Sequence, residues 1–348
     1  MLQKPNPKSK AKENIQYLDK RLKWWKNGDL TSLLTENRVI QQRLKKKLQK
    51  REENKQRSFC NLMLAGKVSK AMAFINNDDI TLGVHPFSDE VKEHLEKKHP
   101  VGKAADPEIL LPDNGVAPQP VIYEDIDADL VYKAAKKLQG SGGPSLIDAD
   151  GWRHMLCSKS YGKASVALCD AIASLAKKLC REEVHPSCLS EFLACRLIPL
   201  DKGVDRDGNL GIRPIGIGEV LRRIVGKVVV HSIKEDIITA AGPLQTCAGL
   251  KSGIEASIHA MRLIFEDDET EGVLLVDAEN AFNNLNRKAA ISNIKQLCPS
   301  FHRFLANTYQ IPAELYVNSN STADCILSDE GSTQGDVAAM GMYAVGID

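Results

Sequence analysis

No apolar run in the 348-residue chain approaches the ~18 residues that a membrane helix requires, so no span is expected. The first residues are polar and carry no apolar core, so no secretory leader is expected either. Nine cysteines are scattered without a C-x-x-C pair, and the spacing of Cys180, Cys188 and Cys195 matches no zinc pattern. The expectation is nine reduced, mostly buried thiols in an intracellular protein, with cytoplasm and nucleus both open. Aromatics are only 5% of the residues, so a mostly aliphatic core is expected, drawn from a hydrophobic content of 43%. Net charge is also nearly absent, at +1, but its distribution is uneven. Residues 1–57 hold 17 Lys and Arg against 6 Asp and Glu, a net +11, which leaves −10 on the other 291. A basic arm on a mildly acidic body fits a polyanionic partner; a solvated helical face is the plainer alternative.

The chain falls into segments. Residues 1–76 form a basic helical region: helical spacing runs from Ile15 to about Arg57, broken at Asn27-Gly28-Asp29, and a further helix covers Phe59–Asn76. Residues 1–14 are expected to be disordered. Trp24 and Trp25, set among lysines, could stack on bases or pack the helix onto a neighbour. Residues 77–122 contain Pro86, Pro100, Pro107, Pro112, Pro118 and Pro120 and read as an extended connector with one helix near 88–98. An amphipathic helix over 126–138 follows, then Gly140–Trp152, whose glycines match neither dinucleotide nor P-loop spacing and therefore read as a turn. Helices continue to about Glu191, and another covers Val220–Ile238.

Three stretches carry candidate chemistry. Ala194–Leu200 and Gly211–Ile217 read as a hairpin with Lys202 and Arg213 near its ends, suited to a triphosphate or simply solvated. Val273–Val276 reads as a strand buried on both faces that ends in Asp277, with Phe282 five residues on. A carboxylate there can reach a metal, or it can cap the next helix. Glu330-Gly-Ser-Thr-Gln-Gly-Asp336 is a polar turn entering an apolar helix, where Gln334 offers an amide and Gly335 allows close backbone approach.

In this order, Arg213-Pro-Ile, Asp277-Ala-Glu-Asn-Ala-Phe282 and Gly331-Ser-Thr-Gln-Gly-Asp336 resemble the fingers motif, palm motif A and motif B of reverse transcriptases of non-LTR, LINE-like retroelements. Gly249-Leu-Lys-Ser-Gly253 and Gly143-Pro-Ser-Leu-Ile-Asp-Ala-Asp150 resemble conserved elements around them. The resemblance implies an α+β chain: right-hand polymerase fingers with a helical extension over 123–265 and an incomplete palm over 266–348, behind the helical basic N-terminal region. It implies an RNA-directed DNA polymerase acting on an RNA template, a DNA primer and deoxynucleoside triphosphates with two Mg2+ ions. Asp277 and the carbonyl of Ala278 would ligate metal, and Phe282 would exclude a 2′-hydroxyl. Lys202 and Arg213 would hold the triphosphate, while Gln334 and Gly335 would line the nucleotide. Three features depart from the family pattern. Asn283 stands where many relatives have Asp, Val337 where Pro is common, and no aromatic-x-Asp-Asp motif C or thumb follows. The expectation is a truncated or decayed copy, inactive alone; the alternative is a non-catalytic nucleic-acid-binding remnant.

Overall fold

The computed structural model describes residues 10–52, 55–66, 68, 71, 83–204, 210–318 and 323–347. The end of the expected Phe59–Asn76 helix and the hairpin tip 205–209 lie outside the described residues, as do residues 1–9 of the stretch 1–14 expected to be disordered; residues 11–14 are instead the first turn of a helix. The chain clusters into two compact units, Met1–Val84 and His85–Asp348.

The first unit is helical: α1 (Ala11–Lys26), α2 (Leu30–Glu52) and α3 (Lys55–Leu64). The break between α1 and α2 falls at the expected Asn27-Gly28-Asp29, where Gly28 takes φ +70°. Asp29 then starts α2 by accepting from the Ser32 amide at 3.0 Å and the Ser32 hydroxyl at 2.6 Å. Arg21 reaches Glu36 at 3.4 Å and ties the two helices together. Lys20 sits 4.4 Å from the Trp24 ring centroid, whereas Trp25 is 56% exposed.

The second unit is mixed α+β. Its helices are α4 (Asp89–Lys97), α5 (Ala128–Lys137), α6 (Ala149–Cys157), α7 (Lys163–Arg181), α8 (Ser190–Leu193), α9 (Val220–Ser232), α10 (Lys234–Ala241), α11 (Gly253–Phe265), α12 (Ala281–Asn284), α13 (Arg287–Leu297), α14 (Pro299–Tyr309) and α15 (Ala339–Gly346). The strands β1 (Cys195–Val204), β2 (Leu210–Gly218), β3 (Ala313–Asn318) and β4 (Ala323–Ser328) form one sheet in the order β2-β1-β3-β4. β1 and β2 are the expected hairpin, and a register shift between Asp201 and Gly203 leaves Lys202 on a bulge. β3 lies parallel to β1 through Cys195–Leu315 and Arg196–Tyr316, and antiparallel to β4. One core joins Val91 and Leu95 of α4 to Leu197, Ile212, Leu315, Val317 and Ile326 of the sheet. In the helical layer, buried Tyr123 donates to the Ser300 carbonyl at 2.8 Å, and the Asn307 amide bridges the Leu179 and Glu182 carbonyls at 2.8 Å each. The expected Val220–Ile238 helix is two helices that meet at buried Ile233.

Two expectations are corrected. Val273–Val276 is not a buried strand: Leu274, Leu275 and Val276 are 87%, 85% and 84% exposed, and the segment pairs with no strand of the sheet. The position beside β1 is held by β3, so the run has hydrophobicity without a neighbour to bury it. Nor are the cysteines mostly buried. All nine are free, but only Cys169, Cys180, Cys195 and Cys298 are buried.

The proline-rich stretch is not loose over its described part. From Lys98 to Asn114 it runs along α12 and α13, and asparagine side chains meet its backbone. Asn280 and Asn283 donate to the Lys98 carbonyl at 2.9 and 2.8 Å, and Asn286 to that of Ala104 at 3.1 Å. Asn293 accepts from Leu111 N and donates to Ile109 O, both at 2.9 Å, and Gln296 accepts from Asn114 N at 2.9 Å. An extended segment outside a sheet must find partners for its amides and carbonyls, and these side chains supply them. Among the described residues, no helix is long and apolar enough to cross a membrane.

Candidate functional site

The turn from Ser328 to Val337 is the hub of the second unit. Buried Arg287 laces its first half. Its Nε donates to Gly331 O at 2.8 Å, and its Nη2 donates to the Ser328 and Glu330 carbonyls at 3.0 Å each. Glu330, also buried, accepts from the Arg287 amide at 2.5 Å and the Lys103 amide at 2.6 Å. Gly331 has φ +60°, and a Cβ there would stand 2.2 Å from the Phe282 carbonyl oxygen, so only glycine fits. The next amide, Ser332 N, donates to that same oxygen at 2.7 Å. The Phe282 and Tyr343 rings pack with centroids 5.3 Å apart.

The second half of the turn lies on β2. Gly216 N donates to Gln334 O at 2.9 Å. Gly335, at φ +105°, approaches Gly216 so closely that a Cβ would stand 2.7 Å from the Gly216 carbonyl oxygen and 3.7 Å from Ile215 Cγ2. Asp336 forms an ion pair with Arg222, whose side chain is 4% exposed. Burial opposes the charge on Arg222, but Asp336 and the surrounding polar groups outweigh it and raise its pKa. The Tyr309 ring lies between two guanidinium groups, 5.6 Å from that of Arg222 and 5.4 Å from that of Arg287. Burial, with Asp336 nearby, pushes the Tyr309 hydroxyl well above its ordinary range. Beside it, burial raises the Cys195 thiol to about 11, so this cysteine stays protonated and unreactive at neutral pH. A small cleft opens here between Gly216, Gly218, Arg222, Thr333, Gly335 and Asp336. Ser332 Oγ and Thr333 Oγ1 are buried without a hydrogen-bond partner among the described residues, a condition native structures seldom tolerate away from a water or ligand.

The expected site residues divide into two groups. Phe282, Gln334 and Gly335 meet around this turn. Arg213 is exposed and lies two residues from Ile215, on the same face of β2 by strand alternation. Lys202 is exposed on the bulge of β1. Asp277 and Ala278 are not drawn in. Both lie on the exposed stretch, and Asp277 makes no hydrogen bond or ion pair with a described residue, although the five residues to Phe282 limit their separation to about 17 Å. Among the described residues, no three His, Cys, Asp or Glu side chains gather as a metal cluster. One carboxylate and one carbonyl fall short of the oxygen ligands that two hard divalent cations need.

The residues sequence reasoning missed are those that pin the turn: Arg222, Arg287, Tyr309 and Glu330. Arg222 had a signal. It shares a helical face with Val225 and Val229, where an unpaired cation would be costly. Arg287 and Glu330 had none, because their partners are backbone groups distant in sequence. A scan against protein-family models matches none, and a search of curated proteins finds no relative.

Proposed function

We propose that the second unit carries the fingers and palm motifs A and B of an RNA-directed DNA polymerase of the LINE-like reverse-transcriptase type. The observation that carries this reading is the meeting of stretches far apart in sequence, around Phe282, Gln334 and Gly216, on a turn fixed by buried charges. In this reading Arg213 and Lys202 attract the triphosphate, and the Phe282 ring excludes a 2′-hydroxyl. The Gln334 and Gly335 backbone forms a rigid wall for the incoming nucleotide. Positioning and charge neutralisation are the main requirements of phosphoryl transfer. The basic side chains within residues 1–57 grip the RNA template or the template–primer duplex.

Magnesium would enter at Asp277 and the Ala278 carbonyl, but the donor set described above is too small for two ions, so no catalytic step is assigned to this chain alone. The lone exposed Asp277 favours a second reading, a nucleic-acid-binding protein without chemistry. Photo-crosslinking of a deoxynucleoside triphosphate to the chain on a template–primer duplex tests the first. The expected result is labelling that discriminates against ribonucleotides and loses that discrimination in Phe282→Ala. Duplex binding with no nucleotide labelling would leave the second reading standing.

A further inference from the structure

Between Arg262 and Arg287 the chain contains no lysine or arginine and seven carboxylates. Five of them fall in Glu266–Glu271, before the apolar run, and two, Asp277 and Glu279, follow it. Arg262 itself is paired with Glu266 at 2.8 Å. The run between these acidic groups lies in neither helix nor strand, and the backbone from Gly272 to Ala278 makes no hydrogen bond to any described residue. Its side chains are among the most exposed large apolar groups described. Exposed apolar side chains on unpaired backbone are what strand-to-strand association uses, and folded proteins seldom leave such a segment bare.

We propose that Gly272–Ala278 is a docking edge for one extended, aliphatic polypeptide strand whose ends carry lysine or arginine. Main-chain pairing would satisfy the open amides and carbonyls. Leu274 and Val276 would bury one face, and Leu275 the other, by strand alternation. The carboxylates on both flanks select cationic ends. They also disfavour a second copy of the same segment, because antiparallel self-pairing sets Glu266–Glu271 of one copy beside Asp277 and Glu279 of the other. This inference stands apart from the polymerase reading and competes with it at Asp277 and Ala278, which cannot pair a strand and hold magnesium at once.

The test is fluorescence anisotropy of the full chain with a labelled peptide of alternating valine and isoleucine carrying lysines at both ends. A glutamate-ended version and a proline-interrupted version serve as comparisons. The lysine-ended peptide is expected to bind at least about tenfold tighter than either comparison, and to weaken as salt rises. Leu274→Glu with Val276→Glu, at positions too exposed to affect folding, is expected to abolish binding while leaving the thermal melt unchanged. Equal binding of all three peptides, no binding of any, or a self-associated chain that those two substitutions dissociate would each overturn the proposal.

Discussion

The amide of Gly216 donates to the carbonyl of Gln334 at 2.9 Å, and this bond brings the hairpin and the 328–337 turn within backbone contact. The closeness depends on both partners lacking a side chain. A Cβ on Gly216 would stand 2.4 Å from Thr333 Cγ2, and one on Gly335 would stand 2.7 Å from the Gly216 oxygen in a left-handed conformation. Gly335→Ala is therefore expected to cost about 1–3 kcal/mol in urea unfolding. A melt indistinguishable from the parent would show that the turn is not held as described.

Arg222 and Asp336 form the buried pair behind that turn. Arg222→Met leaves a buried carboxylate without its cation and should cost about 3–5 kcal/mol. Adding Asp336→Leu removes the stranded charge and should recover most of that loss. A double-mutant cycle by urea unfolding measures the coupling, and simple additivity of the two changes would argue against it.

Burial pushes the His99 imidazole below its ordinary value of 6.5, against a bond from its Nδ1 to the Leu95 carbonyl at 2.7 Å. Burial, with Arg303 and Lys295 nearby, does the same to His302. The unfolded chain therefore takes up these protons more readily. Stability is full above pH 6.5 and falls as pH drops from there toward the folded values, by at most about 1.4 kcal/mol per pH unit for each histidine. His99→Asn should reduce that slope. A slope between pH 7 and 5 unaffected by the substitution would place the acid sensitivity elsewhere.

The first 57 residues carry +11. Full-chain affinity for RNA should fall by about a thousandfold between 50 and 200 mM salt if six or more phosphates are contacted. If exposed Trp25 stacks on a base, Trp25→Ala should cost about 1 kcal/mol at any salt. Salt-independent affinity would remove the basic arm from RNA binding.

Much of the fold was legible because it is local. The break at Gly28, the hairpin around Lys202 and the helix into which Gly335 leads all follow from periodicity and turn residues. Motif order led to the expectation of one cleft holding Asp277, Gln334 and Arg213, and Asp277 instead stands on the exposed stretch, outside the turn where Phe282 and Gln334 meet. Two further features were not legible. Val273–Val276 has the composition of a buried strand, but burial is a property of neighbours, and no strand of the sheet pairs with it. The role of Asn283 was hidden for the opposite reason: its carboxamide serves Lys98, a residue 185 positions away.

The asparagine contacts along residues 98–114 also decide how this protein can be dissected. A recombinant fragment begun at residue 123, where the helical portion opens in sequence, would strip the partners from Asn283 and Asn293, both buried. It would also remove Val91 and Leu95 from against the sheet. A fragment that keeps these contacts starts at His85, the first residue of the second unit.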